Sequence, residues 1–528
     1  MPTTDSRQSL WNQLQQKWDL IIIGGGITGA GIFRRACASG WRTLLIDAAD
    51  FSSGTSSKSS KLVHGGFRYL RNRQFDVTFE SVRQRELLLR QAPHLVSPMG
   101  FYLPYQADPQ QKRIFGLGVA IYDLMAPKWK HRHLNLRELD KHMPLLKPRG
   151  MRGAYLYYDA VVDDSRLVLR LIQESAASGG LALNYAKVSS LLRGKTGEVC
   201  GVAVEDRSGQ ALGTLELQAG VVINATGPWT DSVRQQLRDH ARVRPLRGSH
   251  LVFGYDDLPI PYSVTLMHPQ DGRAMFAIPW EGRTIFGTTD LDHSYPLSLE
   301  PFCTNDEIDY MLTAVNSIFP TVNLDRTKII SSFAGLRPIV RGDASNPSAE
   351  SRAHLILEED GLITITGGKL TIFEIMAEDA LKAAAARLKK DLAPIRHWFD
   401  PISLPNEGEN LCEHTSCYLA GRYGKQARAL VSEADPSQLE QIEDLYTVWA
   451  EVGFNARNGL VEHLDDLLLR RTRLGMLLPN GAVTLLPKIK PIVQNVLGWD
   501  EPRWQREVNR YQQIYRQAFS PDPENHQA

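Results

Sequence analysis

Three glycines at the spacing GxGxxG, Gly24, Gly26 and Gly29, separate a β-branched run from a stretch of helix formers within DLIIIGGGITGAGIFRRACASGWRTLLIDA, which begins at Asp19. The order is strand, tight turn, helix. Gly24 permits the turn, Gly26 admits a pyrophosphate to the backbone, and Gly29 lets helix pack on strand, while the helix N-terminus aims unpaired N–H groups at the anion. Residues 42–46 read as a second strand ending in Asp47, where a carboxylate accepts hydrogen bonds from ribose hydroxyls. An acid there repels a ribose 2′-phosphate, so FAD or NAD is expected rather than NADP.

Other residues extend this chemistry. The loop FSSGTSSKSSKLVHGGFRYL, residues 51–70, carries hydroxyls and lysines that can donate to a pyrophosphate. VVINAT runs into Gly227 and then a helix, a second strand-to-helix turn at which the same sheet edge can approach a cofactor. In ITITGGKLTIF a strand ends at Gly367 and Gly368, and a helix opens near Thr371. In a flavoenzyme that helix terminus stabilises the negative charge that collects on the flavin pyrimidine during reduction. Lys369 can point the same way or toward an anionic substrate. Arg68 and Arg337 sit in apolar, glycine-bearing contexts where an unpaired guanidinium is costly, so each needs a buried partner: a carboxylate of the protein or a bound anion. His64 and His250 lie in similar glycine-flanked surroundings.

The elements that position these residues follow from pattern. At 528 residues the chain exceeds one ordinary core, so two or three domains are expected. The formal net charge of +1 supplies no field for nucleic acid, and five dispersed cysteines suit a reducing compartment. Cys412 and Cys417, with His414 between them, lack a second pair at zinc-site spacing, so no metal site is expected. Residues 79–95 and 161–178 read as helices, the second acid-capped; 182–192 and 199–204 read as strands. From residue 249 to 290 the period becomes two, in SHLVFGY, MFAIPW and TIFGTTD, which indicates antiparallel strands in a different layer. Residues 331–340 and 362–370 return to the style of the first unit, 372–388 form a long alanine-rich helix, and beyond about residue 401 the chain is mostly helical. The expected class is α/β + α, a Rossmann-like unit interleaved with an antiparallel sheet and followed by a helical domain. The corresponding boundaries are 1–85, 155–245 and 330–395 for the dinucleotide domain, 86–154 and 246–329 for the substrate domain, and 396–528 for the helical one.

Taken together, GGGITGAG, TSSKSSKLVHGGFRYL, NATGPW, RGSH, FAIPW, FGTTD, GLRP and GGKLT occur in the order found in bacterial FAD-dependent glycerol-3-phosphate dehydrogenases of the respiratory, aerobic type, which the chain resembles from about residue 19 to 388. LRRTRLGML, residues 469–477, resembles that family's C-terminal domain more loosely. Asp47 departs from the family's usual glutamate and shortens the ribose contact by one methylene. The resemblance implies non-covalent FAD held at Gly24, Gly25, Gly26, Ile27 and Gly29, with Asp47 on its ribose. It places Ser59, Ser60 and Lys61 near the ribityl and phosphates, and Gly227, Gly367, Gly368, Leu370 and Thr371 along the rest. Glycerol 3-phosphate is the implied substrate, its phosphate gripped by Arg68, Arg337 and Lys369 with Tyr69 as donor, and His250 also in contact. Hydride leaves C2 as the hydroxyl loses its proton to His64, His250 or Lys369. An amine or amino-acid oxidase of the same architecture is the alternative.

A quinone acceptor, again implied by the family, requires contact with the bilayer, and no run approaches the roughly 20 apolar residues of a spanning helix. Such stripes are ordinarily core or subunit contacts. Given quinone chemistry, IFGLGVAIYDLM, residues 114–125, flanked by Lys112, Arg113, Lys128, Lys130 and Arg132, becomes the expected peripheral contact. Residues 504–519, with Trp504, Val508, Tyr511, Tyr515 and Phe519 at helical spacing, are the second candidate. A cytoplasmic protein on the inner face of the cell membrane is expected, and a homodimer is compatible with the sequence.

Overall fold

The computed structural model describes residues 7–66, 75–126, 130–238, 240–342, 353–402, 404 and 411–522. At its centre lies Trp18–Ile23, six residues that are all buried. This strand pairs in parallel with Thr43–Ile46 on one side and Thr214–Asn224 on the other. Leu181–Leu183 and Leu362–Gly367 extend the parallel sheet, and His354–Glu359 closes one edge antiparallel. Helices Ile27–Ala38, Asp164–Ala177 and Phe373–Leu388 share one apolar cluster with the sheet, including Phe33, Leu171 and Phe373. Trp11, Val202 and Leu217 cover the opposite side. Burial on both faces explains why these strands are continuous apolar runs.

The second sheet is mainly antiparallel and runs through Val243–Gly254, Arg283–Gly287, Ala274–Trp280, Ser263–Met267, Val96–Gln106, Met151–Val162 and Leu62–Val63. Ile329–Val340, expected to rejoin the first unit, instead pairs along Val243–Gly254 in this sheet. Met151–Val162 likewise crosses the boundary expected at residue 155. The physical reason is burial on both faces. Phe333, Val252 and Trp280 pack against the C-terminal domain, whereas Ile329, Leu251 and Phe286 share a cluster with Ile308 and Val315 of helix Asn305–Ile318. A strand covered on both sides loses the alternation that marks an antiparallel position.

The helical C-terminal domain includes Glu413–Tyr423, Ala450–Asn458, Leu486–Leu497 and Glu501–Ala518. Trp504, Tyr511, Tyr515 and Phe519 lie buried in its core, which overturns 504–519 as a membrane contact. The helix expected at 79–95 is Phe75–Gln91. Among the described residues no helix is long and apolar enough to cross a membrane, and no cluster of metal-ligating side chains occurs.

Candidate active site

A single cavity of about 2240 Å³ runs between the two sheets and collects most of the residues singled out above. Ordinary ligand sites occupy roughly 300–1,000 Å³, so this one has room for an extended dinucleotide and a small substrate. Gly24, Gly26 and Ile27 line it where the first strand turns into its helix. At Gly29 an added Cβ would overlap the Gly24 carbonyl oxygen, which is the close helix–strand approach its position requires. Helix Ile27–Ala38 has no side-chain cap at Gly26, and Ser56 Oγ accepts from the Ile27 N–H at 2.9 Å. Asp47 Oδ2 accepts from Gly25 N–H at 2.6 Å and Oδ1 from Ala49 N–H at 2.9 Å. Burial pushes the Asp47 carboxyl up to about 6, against those N–H donors. Further along, Gly227 and the turn through Gly367 and Gly368, both at positive φ, deliver Leu370 and Thr371 to the wall. The 3-10 turn Leu370–Ile372 also has no side-chain cap. Two helix termini without a side-chain N-cap, a half-buried acid and a continuous trough fit FAD.

Another part of the cavity is polar and cationic. His250 is buried on Val243–Gly254, stacks on Phe333 at 4.7 Å and shares a 2.8 Å hydrogen bond between Nε2 and Ser60 Oγ. Its Nδ1 has no partner among the described residues. Burial, then the cations Arg337 and Lys61, hold its pKa well below the ordinary 6.5, so the ring is neutral. Arg337 donates to Asp290 Oδ1 at 2.9 Å, to the Thr289 carbonyl at 3.1 Å and to Thr288 Oγ1 at 3.0 Å. Arg273 approaches the other Asp290 oxygen at 3.5 Å. Among the described residues two guanidinium groups thus converge on one carboxylate at the cavity. Lys369 donates to Ser81 Oγ at 3.0 Å, and Thr371 Oγ1 donates to the His64 carbonyl at 3.4 Å. His64, His250, Arg337 and Lys369, expected separately, thus line one cavity.

Some expectations change. Lys61 is buried off the cavity wall, its ammonium donating to Asp164 at 2.9 and 3.0 Å and lying over the rings of Trp280 and Phe333. A cation so enclosed needs its carboxylate, and Asp164 supplies it. Ser59 remains on the wall but donates to the same carboxylate at 2.7 Å, so its hydroxyl organises the loop. Gly25 and Gly29 act from behind the wall. Arg68 and Tyr69 lie outside the described residues. Sequence reasoning did not name Ser56, Ser81, Arg273 or Asp290; Ser56 lies in the 51–70 loop whose hydroxyls were singled out as a group, and FGTTD carried a signal for Asp290 at its end.

A Rossmann-type turn, an acid at the end of the second strand and an antiparallel roof over a trough define a dinucleotide-dependent oxidoreductase of two-sheet construction. Residues 19–373 match the family of FAD dependent oxidoreductases, and residues 364–504 match the C-terminal domain of alpha-glycerophosphate oxidase. The aerobic glycerol-3-phosphate dehydrogenase of Staphylococcus saprophyticus is 32% identical over 500 residues, 89% of each chain. The structure of the glycerol-3-phosphate dehydrogenase from Bacillus halodurans complexed with FAD superposes with a TM-score of 0.77 at 28% identity, covering 99% of both chains. Glycine oxidase from Geobacillus kaustophilus shares the fold alone, at a TM-score of 0.55 and 17% identity over 72% of this chain and 100% of its own. The chain belongs to the FAD-dependent glycerol-3-phosphate dehydrogenase family.

Proposed function

We propose that the protein oxidises sn-glycerol 3-phosphate to dihydroxyacetone phosphate and passes the electrons to a quinone at the membrane surface. The observation that carries this reading is the wall on which Arg337 and Arg273 share Asp290 beside a neutral, buried His250. Bound FAD supplies the hydride acceptor. The two guanidinium groups and Lys369 grip the phosphate; a dianion uses more of this charge than the single carboxylate of an amino acid, which favours the phosphate ester over the amino-acid alternative. His250 takes the proton of the C2 hydroxyl. As a base it must be unprotonated, and its burial ensures that. A phosphate dianion at Arg337 also offsets one of the cations that depress the ring, so substrate binding strengthens the base. Ser60 fixes the ring through Nε2.

The quinone and membrane reading rests on helix Pro109–Met125. Ile114, Phe115, Leu117 and Ile121 line the cavity mouth, while Ile114 and Leu117 are each 64% exposed and Leu124 77%. An apolar lip continuous with the redox cavity suits an acceptor dissolved in the bilayer, and Lys112 and Arg113 beside it suit anionic lipid on the inner face of the cell membrane.

Anaerobic addition of glycerol 3-phosphate to the FAD-loaded protein should bleach the flavin, and glycine should leave it yellow. Bleaching by glycine alone would move the substrate to the amino-acid class. Denaturation should release all colour from the polypeptide, as non-covalent FAD requires.

A further inference from the structure

The far end of the cavity is bounded by more than the dinucleotide unit. Beyond Asp47 the wall continues through Ala48, Ala49 and Asp50 and through Lys187, Val188 and Ser189 of the adjoining hairpin. Arg470, Asp465, Arg510 and Ile514 of the C-terminal domain complete it. These residues are tied by a chain of ion pairs to Asp50, which follows Asp47 in the same loop. Arg510 Nε donates to Asp465 Oδ1 at 3.1 Å, Asp465 Oδ2 accepts from Arg470 at 2.8 Å, and Arg470 pairs with Asp50, three residues past Asp47.

Arg510 and Ile514 stand one turn apart on helix Glu501–Ala518, so they present one face. Only Nε of Arg510 has a partner among the described residues, and its other two nitrogens are uncommitted. A planar guanidinium can stack on a purine or donate to its ring nitrogens, and a branched aliphatic side chain one turn away covers the apolar ring face. Because Asp47 sets the ribose, the group beyond it is the adenine.

We propose that the C-terminal domain forms part of the adenosine site, with Arg510 and Ile514 closing over the adenine of FAD. The inference rests on FAD binding and not on the identity of the substrate. It makes cofactor binding and docking of the C-terminal domain one linked equilibrium.

The test separates the halves of the cofactor. Full-length apoprotein, parent and variants, is titrated with FAD, with ADP as the adenosine half, and with FMN as the flavin half. Arg510→Ala and Ile514→Ala should each weaken FAD and ADP by about tenfold and leave FMN unchanged. The proposal is overturned if ADP and FAD bind both variants as they bind the parent. It is equally overturned if FMN weakens by the same factor as ADP, because the effect is then on the fold. Should Arg510→Ala lower the melting temperature of the apoprotein, Arg510→Gln is read in its place with the same two outcomes. Substrate turnover enters none of these readouts.

Discussion

Arg337 and His250 show what a residue's local context conveys and what it withholds. A guanidinium in AGLRPIV must have a partner, and it does, but Asp290 is 47 residues away and no local pattern names it. On the proposed function, Arg337→Ala removes one phosphate contact while Arg273 still pairs with Asp290, so the expected loss is moderate. The expected cost is about 2–3 kcal/mol, seen as a KM for glycerol 3-phosphate raised roughly 30- to 150-fold with the flavin spectrum intact. An equal loss with unphosphorylated glycerol would make the arginine structural. Ser60→Ala tests the positioning of His250. Freed at Nε2, the ring should lose orientation, and kcat should fall by about tenfold or more while the KM for the phosphate ester changes little. Lys61 illustrates the opposite limit: its place in a serine-rich loop suggested a ligand contact, whereas a distant helix N-terminus supplies Asp164.

Among the elements, the hairpin joining Ala274–Trp280 to Arg283–Gly287 does more than roof the cavity. Its tip enters the C-terminal domain. Arg283 forms two hydrogen bonds to Asp444, at 2.6 and 2.7 Å, and Glu281 accepts from Tyr418 at 2.9 Å with Arg422 at 3.7 Å. Burial pushes the Glu281 carboxyl up to about 7, with Arg422 opposing. The folded state therefore binds the proton more tightly than the unfolded chain, whose value is 4.5. Stability from this group is complete below pH 4.5 and is lost as pH rises toward 7. Glu281→Gln removes the slope, so denaturant titrations should show the variant gaining on the parent by up to ~3 kcal/mol between pH 5 and pH 8. A constant difference would mean that Glu281 does not titrate in that window. Helix Pro109–Met125 carries the second prediction at this scale. Changing Ile114, Leu117 and Leu124 to serine should release the protein from anionic vesicles while a water-soluble dye is still reduced, since the lip, although Ile114 and Leu117 line the cavity, serves the lipid-dissolved acceptor. Lost dye reduction would place them in the site instead. Composition singled out residues 114–125, without showing that they are helical, and glycine spacing marked the first unit; elsewhere the apolar pattern was less informative. It misassigned Ile329–Val340, because burial on two faces erases alternation, and it could not separate the buried stripe of Trp504 from an exposed one.

Across the whole molecule, the C-terminal domain is fastened to the dinucleotide unit by buried charges. Arg471 donates to both oxygens of Asp50 at 2.7 Å, while Asp163 accepts from Arg422 at 2.8 Å and from Arg473 at 2.8 Å. The motif LRRTRLGML resembled a family domain in the sequence, but its function as a fastener became visible only when residues 50 and 471 met. Removing one member leaves its partner buried and uncompensated, so Asp50→Asn should cost about 3–5 kcal/mol by chemical denaturation. A loss below about 1 kcal/mol would show that water reaches the network. The separation also has a consequence during synthesis. Asp50 and Arg471 are 421 positions apart, so at roughly 5–20 residues per second the acid emerges from the ribosome about 20–80 s before its partner exists. Throughout that interval Asp50 stays hydrated and the cleft beside Asp47 stays unfinished. Ribosome-bound chains arrested before residue 471 should remain open to protease at the dinucleotide unit even with FAD supplied, and protection should arrive in one step once the last helices emerge.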